Sequence, residues 1–290
     1  SVTIDPSNPN TIYAGSNLGI VIKSTDAGAT WKGINRNISN VVGRILVHPN
    51  NSNIILVAAM SGIHRSIDGG ATWTRPFIGM MEDIEFKPND PNIVYASGAF
   101  GGGPNVMRSV DGGITWTPLT ANEGITGNGR TLLSVSPANP NRVYALQASG
   151  NEFGKLYISD NSGVSFTTAI SGGSENCRNF FGYETTGCGF GGQAGYDMAM
   201  CVNPANADEV YIGGIIVFKS TDAGKTFIAQ TAWSYPNSIG YNHADVHALE
   251  FVNKTVYSGS DGGVYMSTDN GDNWKDLSAG LGIRQFYRIA

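Results

Sequence analysis

Charge is scarce in this sequence of 290 residues: Asp, Glu, Lys and Arg together make up 14% of it. The balance is acidic, 18 Lys and Arg against 23 Asp and Glu, a net charge of −5. Without a basic excess there is little to neutralise a phosphate backbone or an anionic leaflet, so no nucleic-acid partner is expected. No run of eighteen apolar residues occurs, which excludes a membrane-spanning helix, and no membrane insertion is expected. Only three Cys are present, none of them in CxxC or Cys/His zinc spacing. A Gly-x-Ser-x-Gly elbow, a P-loop and a dinucleotide fingerprint are also missing, so no cofactor is expected. Gly101-Gly102-Gly103 runs into Pro104, not into a helix start, and reads as loop. No secretory leader is visible. The chain opens at Ser1 in mid-pattern and reads as a processed or excised piece of a longer protein.

What the sequence has in quantity is Gly, 39 residues, and repetition. Ser66-Ile67-Asp68-Gly69-Gly70-Ala71-Thr72-Trp73 recurs at 24–31, 109–116 and 267–274. With Phe in the last place it recurs at 220–227, and in a worn form, with Asn161 for Asp, at 159–166. Ser and Asp two apart can turn their oxygens onto nearby backbone N–H groups. The Gly takes φ > 0, and the aromatic opens the next strand and packs under the sheet. The motif resembles the Asp-box, the bacterial neuraminidase repeat. Asp26, Asp68, Asp111, Asn161, Asp222 and Asp269 then have a structural role.

Around each copy the same order repeats: a short apolar strand, an Asn-Pro-Asn type turn, a second strand such as Ile93-Val94-Tyr95-Ala96-Ser97, a Gly-containing loop, a third strand, the Ser/Asp turn and a fourth strand. Copies start 42 to 61 residues apart, turn signals come every 8–12 residues, and no helical periodicity is present. This predicts an all-β protein, a β-propeller of four-stranded antiparallel blades. Six blades fall near 1–36, 41–79, 80–119, 129–170, 195–233 and 243–277. Residues 285–290 read as the first strand of a seventh, and the 290 residues as a single propeller continuing into a longer chain.

Loop length divides the predicted blades. First-to-second turns and Ser/Asp turns are short and share one rim. Insertions at 99–105, 117–129, 148–154, 171–195 and 228–242 all fall on the other, the usual place for binding. Two of them are aromatic. Phe180, Phe181, Tyr183, Phe190 and Tyr196 mark one, and Trp233, Tyr235 and Tyr241 the other. They either stack on a sugar or anchor a protein, or fold inward as cores of their own loops. Cys177 and Cys188 lie in the same Gly-rich loop and can pair in an oxidising compartment. Cys201 reads as a core thiol.

His243-Ala244-Asp245-Val246-His247 is the most unusual stretch. Residues two apart on a strand share a face, so His243, Asp245 and His247 could chelate a metal. Leu249 and Phe251 continue that face, however, so His247 is expected packed at the mouth of the core, and no metal is expected. Asp261 lies in a second-to-third loop near Asp245, because their strands pair. Two carboxylates flanking a bond are what glycoside hydrolysis needs. The alternative is that Asp261 only makes the turn before Gly262 and Gly263. Glu82, Asp83 and Asp197 open other first strands, as do Arg44 and Arg130. Those two Arg fall short of the three a sialidase site needs.

Asp5-Pro6-Ser7-Asn8-Pro9-Asn10-Thr11-Ile12-Tyr13-Ala14-Gly15, followed by the turn at 24–31, resembles the sortilin-like and xyloglucanase-like superfamily. That resemblance implies a catalytic Asp in a Thr-Asp-Ile-Gly-Gly loop of the first blade and a second, facing propeller. Here the loop is Ser16-Asn17-Leu18-Gly19, and Asn17 is no carboxylate. The stretches 243–251, 261–265 and 280–288 resemble secreted Bacteroidetes cell-surface propellers exported by type nine secretion. That implies a secreted or cell-surface protein with further domains. The expected function is a non-catalytic module that binds a glycan or protein through the long-loop rim, with His243 and the aromatics as contacts. The alternative is a glycoside hydrolase acting on a β-glucan with Asp245 and Asp261 as its pair.

Overall fold

The computed structural model describes residues 1–35, 38–98, 105–234 and 239–282. Gly101–Gly103, Tyr235 and the stretch 285–290 lie outside them. The described residues hold six four-stranded antiparallel sheets, each with its strands in sequence order, the blades of a β-propeller. One short parallel ladder, Thr231–Ala232 with Gly240–Tyr241, lies between the last two sheets in sequence. The only helical turns among the described residues are of 3-10 type, Ala121–Glu123 and Ser174–Asn176. The chain forms two compact units. One contains the first three sheets and the other the last two, and the residues of the fourth are divided between them.

The second sheet shows how the sequence builds a blade. Its strands are Val42–Val47, Ile55–Ala59, Gly62–Ser66 and Thr74–Phe77. Ile55–Ala59 is apolar throughout and buried throughout, because a strand's side chains leave it on both faces and here both faces are covered. Ile55, Val57 and Ala59 pack with Tyr13, Val21 and Ile45. Leu56 and Ala58 pack with Ile84, Val94 and Met107. Tyr95, next to Val94 on its strand, belongs in turn to a third cluster with Val143, Tyr157 and Phe166. In the second unit Cys201 is a buried free thiol beside Tyr211, Val246 and Leu249.

Each third-to-fourth strand turn is closed by the same hydrogen bonds. At 66–73 the Ser66 hydroxyl donates to Asp68 Oδ1 (2.8 Å) and accepts from the Gly70 N–H (2.9 Å). The carboxylate accepts from the Thr72 N–H (2.8 Å) and the Thr72 hydroxyl. The Trp73 indole N–H donates to the Gly70 carbonyl (3.0 Å), which brings the ring back under the turn. Asn273 replaces Thr at 267–274, and its amide donates to Asp269 (2.7 Å). In the worn copy Asn161 keeps the pattern, accepting from Ser159 (2.9 Å) and donating to Ser165 (2.8 Å). The threonine hydroxyl and N–H, with the serine, hold Asp26 and Asp68 down at about 2, well below the usual carboxylate range. In each sheet this turn and the first-to-second turn share one end, and the chain's insertions leave from the other.

Candidate functional site

The acidic stretch before the sixth sheet is shaped by an irregularity. Val246–Val252 pairs with Thr255–Ser260, with a register shift between Val246 and Ala248. One additional residue in a ladder turns the side chains that follow it. Val246 and Leu249 therefore both point inward and are buried, while His247 is exposed. This corrects the expected position of His247: the strict alternation that would have packed it in the core mouth is broken at its own position.

Asp245 sits just before the shift, in the left-handed region at φ 64°. Its carbonyl accepts from the Asp261 N–H at 3.2 Å, so the two aspartates meet across the end of the ladder. Asp261 is held from both sides. The Tyr196 hydroxyl donates to Oδ2 at 2.9 Å, and His247 Nε2 lies 3.0 Å from Oδ1. The Tyr196 and His247 rings meet edge to face, 4.9 Å between centroids. The Gln193 amide reaches Asp245 Oδ1 at 3.4 Å. His243 lies so closely against Gly262 that a Cβ there would run into the His243 side chain, so no larger residue fits at Gly262 without displacing it. Among the described residues no group of three or more His, Cys, Asp or Glu is arranged to hold a metal ion.

The insertion at 171–195 folds as a cap with its own core. A disulfide joins Cys177 to Cys188. Asn179 is buried and donates to the carbonyls of Gly189 (2.9 Å) and Gly191 (2.7 Å) while accepting from the Phe153 N–H (3.1 Å). Phe180 and Phe181 are buried. The Phe180 ring meets Phe153 at 4.8 Å, Phe218 at 5.1 Å and Phe227 at 4.9 Å. These two rings are therefore not ligand contacts. Burying them is what allows a Gly-rich loop of this length to hold one shape. Tyr241 is half-buried, with its ring against Tyr265. Tyr183, Phe190 and Trp233 are exposed. The Trp233 indole N–H donates to the Tyr183 carbonyl at 3.0 Å.

The remaining charged residues of the first strands are taken up internally. Arg130 pairs with Glu82 at 2.6 Å, and Arg44 bridges Asp83 and Glu85 at 3.2 and 2.7 Å. Asp83 is buried and accepts from the Leu133 N–H at 2.7 Å. Asp197 is fully buried. The sequence points to Asp245, Asp261 and His243 but not to Gln193 or to Tyr196 as a partner of Asp261. Tyr196 and Asp261 are 65 residues apart, and nothing local to either announces the pairing.

The fold thus defines a β-propeller protein, and comparison with known proteins narrows its relatives. No protein-family model matches the chain. Xyloglucanase Xgh74A of Acetivibrio thermocellus is 28% identical over 126 residues, 35% of this chain and 14% of that enzyme. An ancestral GH74 enzyme of solved structure superimposes with a TM-score of 0.71 at 20% identity, covering 96% of this chain and 38% of its own. The Niastella koreensis GH74 enzyme gives 0.68 at 21% identity, with 95% and 46% covered. The chain therefore spans less than half the length of each of these proteins.

Proposed function

We propose that this chain is a β-glucan-directed propeller related to the xyloglucanases, with Asp245 and Asp261 as the carboxylate pair of a glycoside-hydrolase-type site. The observation that carries the proposal is the meeting of these two aspartates across one ladder end, with Asp261 oriented on both oxygens by Tyr196 and His247. The partial similarity to a xyloglucanase supports the substrate class. In such a site one carboxyl group protonates the glycosidic oxygen as the bond to the anomeric carbon breaks. The other directs attack on that carbon, either through water or by itself. Asp261, oriented by two side chains, suits the second role, and Asp245 the first. Tyr196 and His247 are positioning residues.

The test is release of reducing ends from xyloglucan and mixed-linkage β-glucan by the intact protein. Asp245→Asn and Asp261→Asn are each expected to lower the rate by about 100-fold or more, the usual scale for losing an acid or base. A protein that is folded and releases no reducing ends from either glucan would end the hydrolase reading.

One observation favours a second, non-catalytic reading. The same contacts that orient Asp261 also anchor the loop of Gly262 and Gly263, and on this reading the module binds a glycan or a protein partner without cleaving it. On either reading we take the six Ser/Asp turns as Asp-boxes. We also take the protein as secreted or displayed at the cell surface with further domains, as for type nine secretion substrates of Bacteroidetes. The Cys177–Cys188 disulfide supports an oxidising compartment. Fractionation of cells producing the native polypeptide tests that placement.

A further inference from the structure

Five tryptophans occur in the sequence. Trp31, Trp73, Trp116 and Trp274 each close a Ser/Asp turn by donating to the carbonyl of the turn's glycine. Trp233 stands apart from this scheme. It is 43% exposed, and Tyr183, whose carbonyl its indole N–H binds, is 47% exposed. Between them lies a cleft of about 290 Å³ lined by Tyr183, Glu184, Thr185, Thr186, Trp233 and Ser234.

We infer that this cleft is a carbohydrate subsite that stacks a pyranose ring of a neutral β-glucan. Three features of the cleft point to a sugar. The volume is at the lower limit for a small-molecule site, too small for a protein element. Two aromatic side chains offer apolar surface for the C–H face of a pyranose, and hydroxyls and a carboxylate at the margin suit its hydroxyl edge. The site is also pre-formed, which lowers the ordering cost of binding. The Trp233 indole is tied to the backbone of Tyr183, the Glu184 carboxylate accepts from the Thr186 hydroxyl at 3.2 Å, and the disulfide closes the loop that carries Tyr183, Glu184 and Thr186. Glu184 disfavours an acidic polysaccharide. The inference rests on the proposed substrate class and on no catalytic role for Asp245 or Asp261.

The test is calorimetric titration of the intact protein with cellohexaose and with xyloglucan oligosaccharides, followed in parallel by tryptophan fluorescence. Wild type is expected to bind with a change in emission. Trp233→Ala and Tyr183→Ala are each expected to weaken binding at least tenfold, whereas Trp233→Phe, which keeps a stacking face, retains most of it. Val110→Ser, an exposed position in neither site, is expected to bind as wild type, and a protein that cleaves nothing still gives a clear answer here. Three results would overturn the subsite. One is no binding of either sugar by wild type. Another is undiminished binding by both alanine variants with native circular dichroism. The third is preference for tetramethylammonium, which would mark the aromatic pair and Glu184 as a cation cage.

Discussion

The two ends of a blade are built on opposite principles. At one end a Ser/Asp turn is repeated six times, and its bonds are local: every partner of Asp68 lies within four residues of it. At the other end, the cap at 171–195 and the Asp261 cluster depend on partners far off in sequence. Asn179 reaches back 26 residues to Phe153, and Asp261 is held from 65 residues away by Tyr196. Local bonding makes a turn that survives substitution piece by piece, as the Asn161 and Asn273 copies show. Distant bonding makes a unique arrangement that a single change can disconnect. Tolerance of substitution and uniqueness of arrangement are thus assigned to different ends of the same sheets.

The comparison can be sharpened by measurement. The largest effect is expected in the sheet both ends share: Leu56→Ala removes a fully buried side chain and should cost about 2–5 kcal/mol in urea unfolding. Replacing Cys177 and Cys188 by Ser opens a loop of sequence separation 11. The chain-entropy estimate for such a loop is about 3 kcal/mol, and the loss should be confined to the cap, seen as faster hydrogen exchange at 171–195. Asn179→Ala should raise exchange over the same residues by leaving three backbone groups unpaired, at about 1–3 kcal/mol. If exchange instead rises equally through all the sheets of that unit, the cap is not a separate structure.

The smallest single effect is expected at the turns. Asp68→Ala should lower the urea midpoint by the least of these variants, because it removes only the side-chain bonds that close one turn. The five turns that carry Asp act together through pH. Asp26, Asp68 and Asp269 are held at about 2 in the folded chain, against an unfolded value of about 3.9. Such depressed groups stabilise the fold fully above the unfolded value, and their contribution is lost as pH falls through the folded one. Unfolding midpoints should therefore drop between about pH 4 and pH 2, and less steeply in a chain where two of these Asp are Asn. An unchanged slope would show that the turns are not what acid attacks.

Much of the fold was legible because the local end repeats. Ser-x-Asp-x-Gly-x-Thr-Trp specifies its own hydrogen bonds, and strands such as Ile55–Ala59 carry an apolar run that needs cover on both faces. The candidate site was legible only in part. Asp245 and Asp261 could be brought together by pairing their strands. The side on which His247 emerges depended on a register shift that no residue type announces. Phe180 and Phe181 carry the same letters as exposed stacking residues would. Only the neighbouring Phe153, Phe218 and Phe227 decide that they form a core, and those come from other segments.

The strand Ile55–Ala59 sends odd-numbered side chains into one cluster and even-numbered ones into the next. It works as a party wall. Loosening at Tyr13 is felt at Ile55 and Val57, and through their shared backbone at Leu56 and at Val94 beyond it. Damage to one blade of this unit should then travel to its neighbours in order, losing strength at each wall, like a fault passing along a row of terraced houses. A solvent-facing substitution at Val110, 60% exposed and party to no such wall, should stay where it is made.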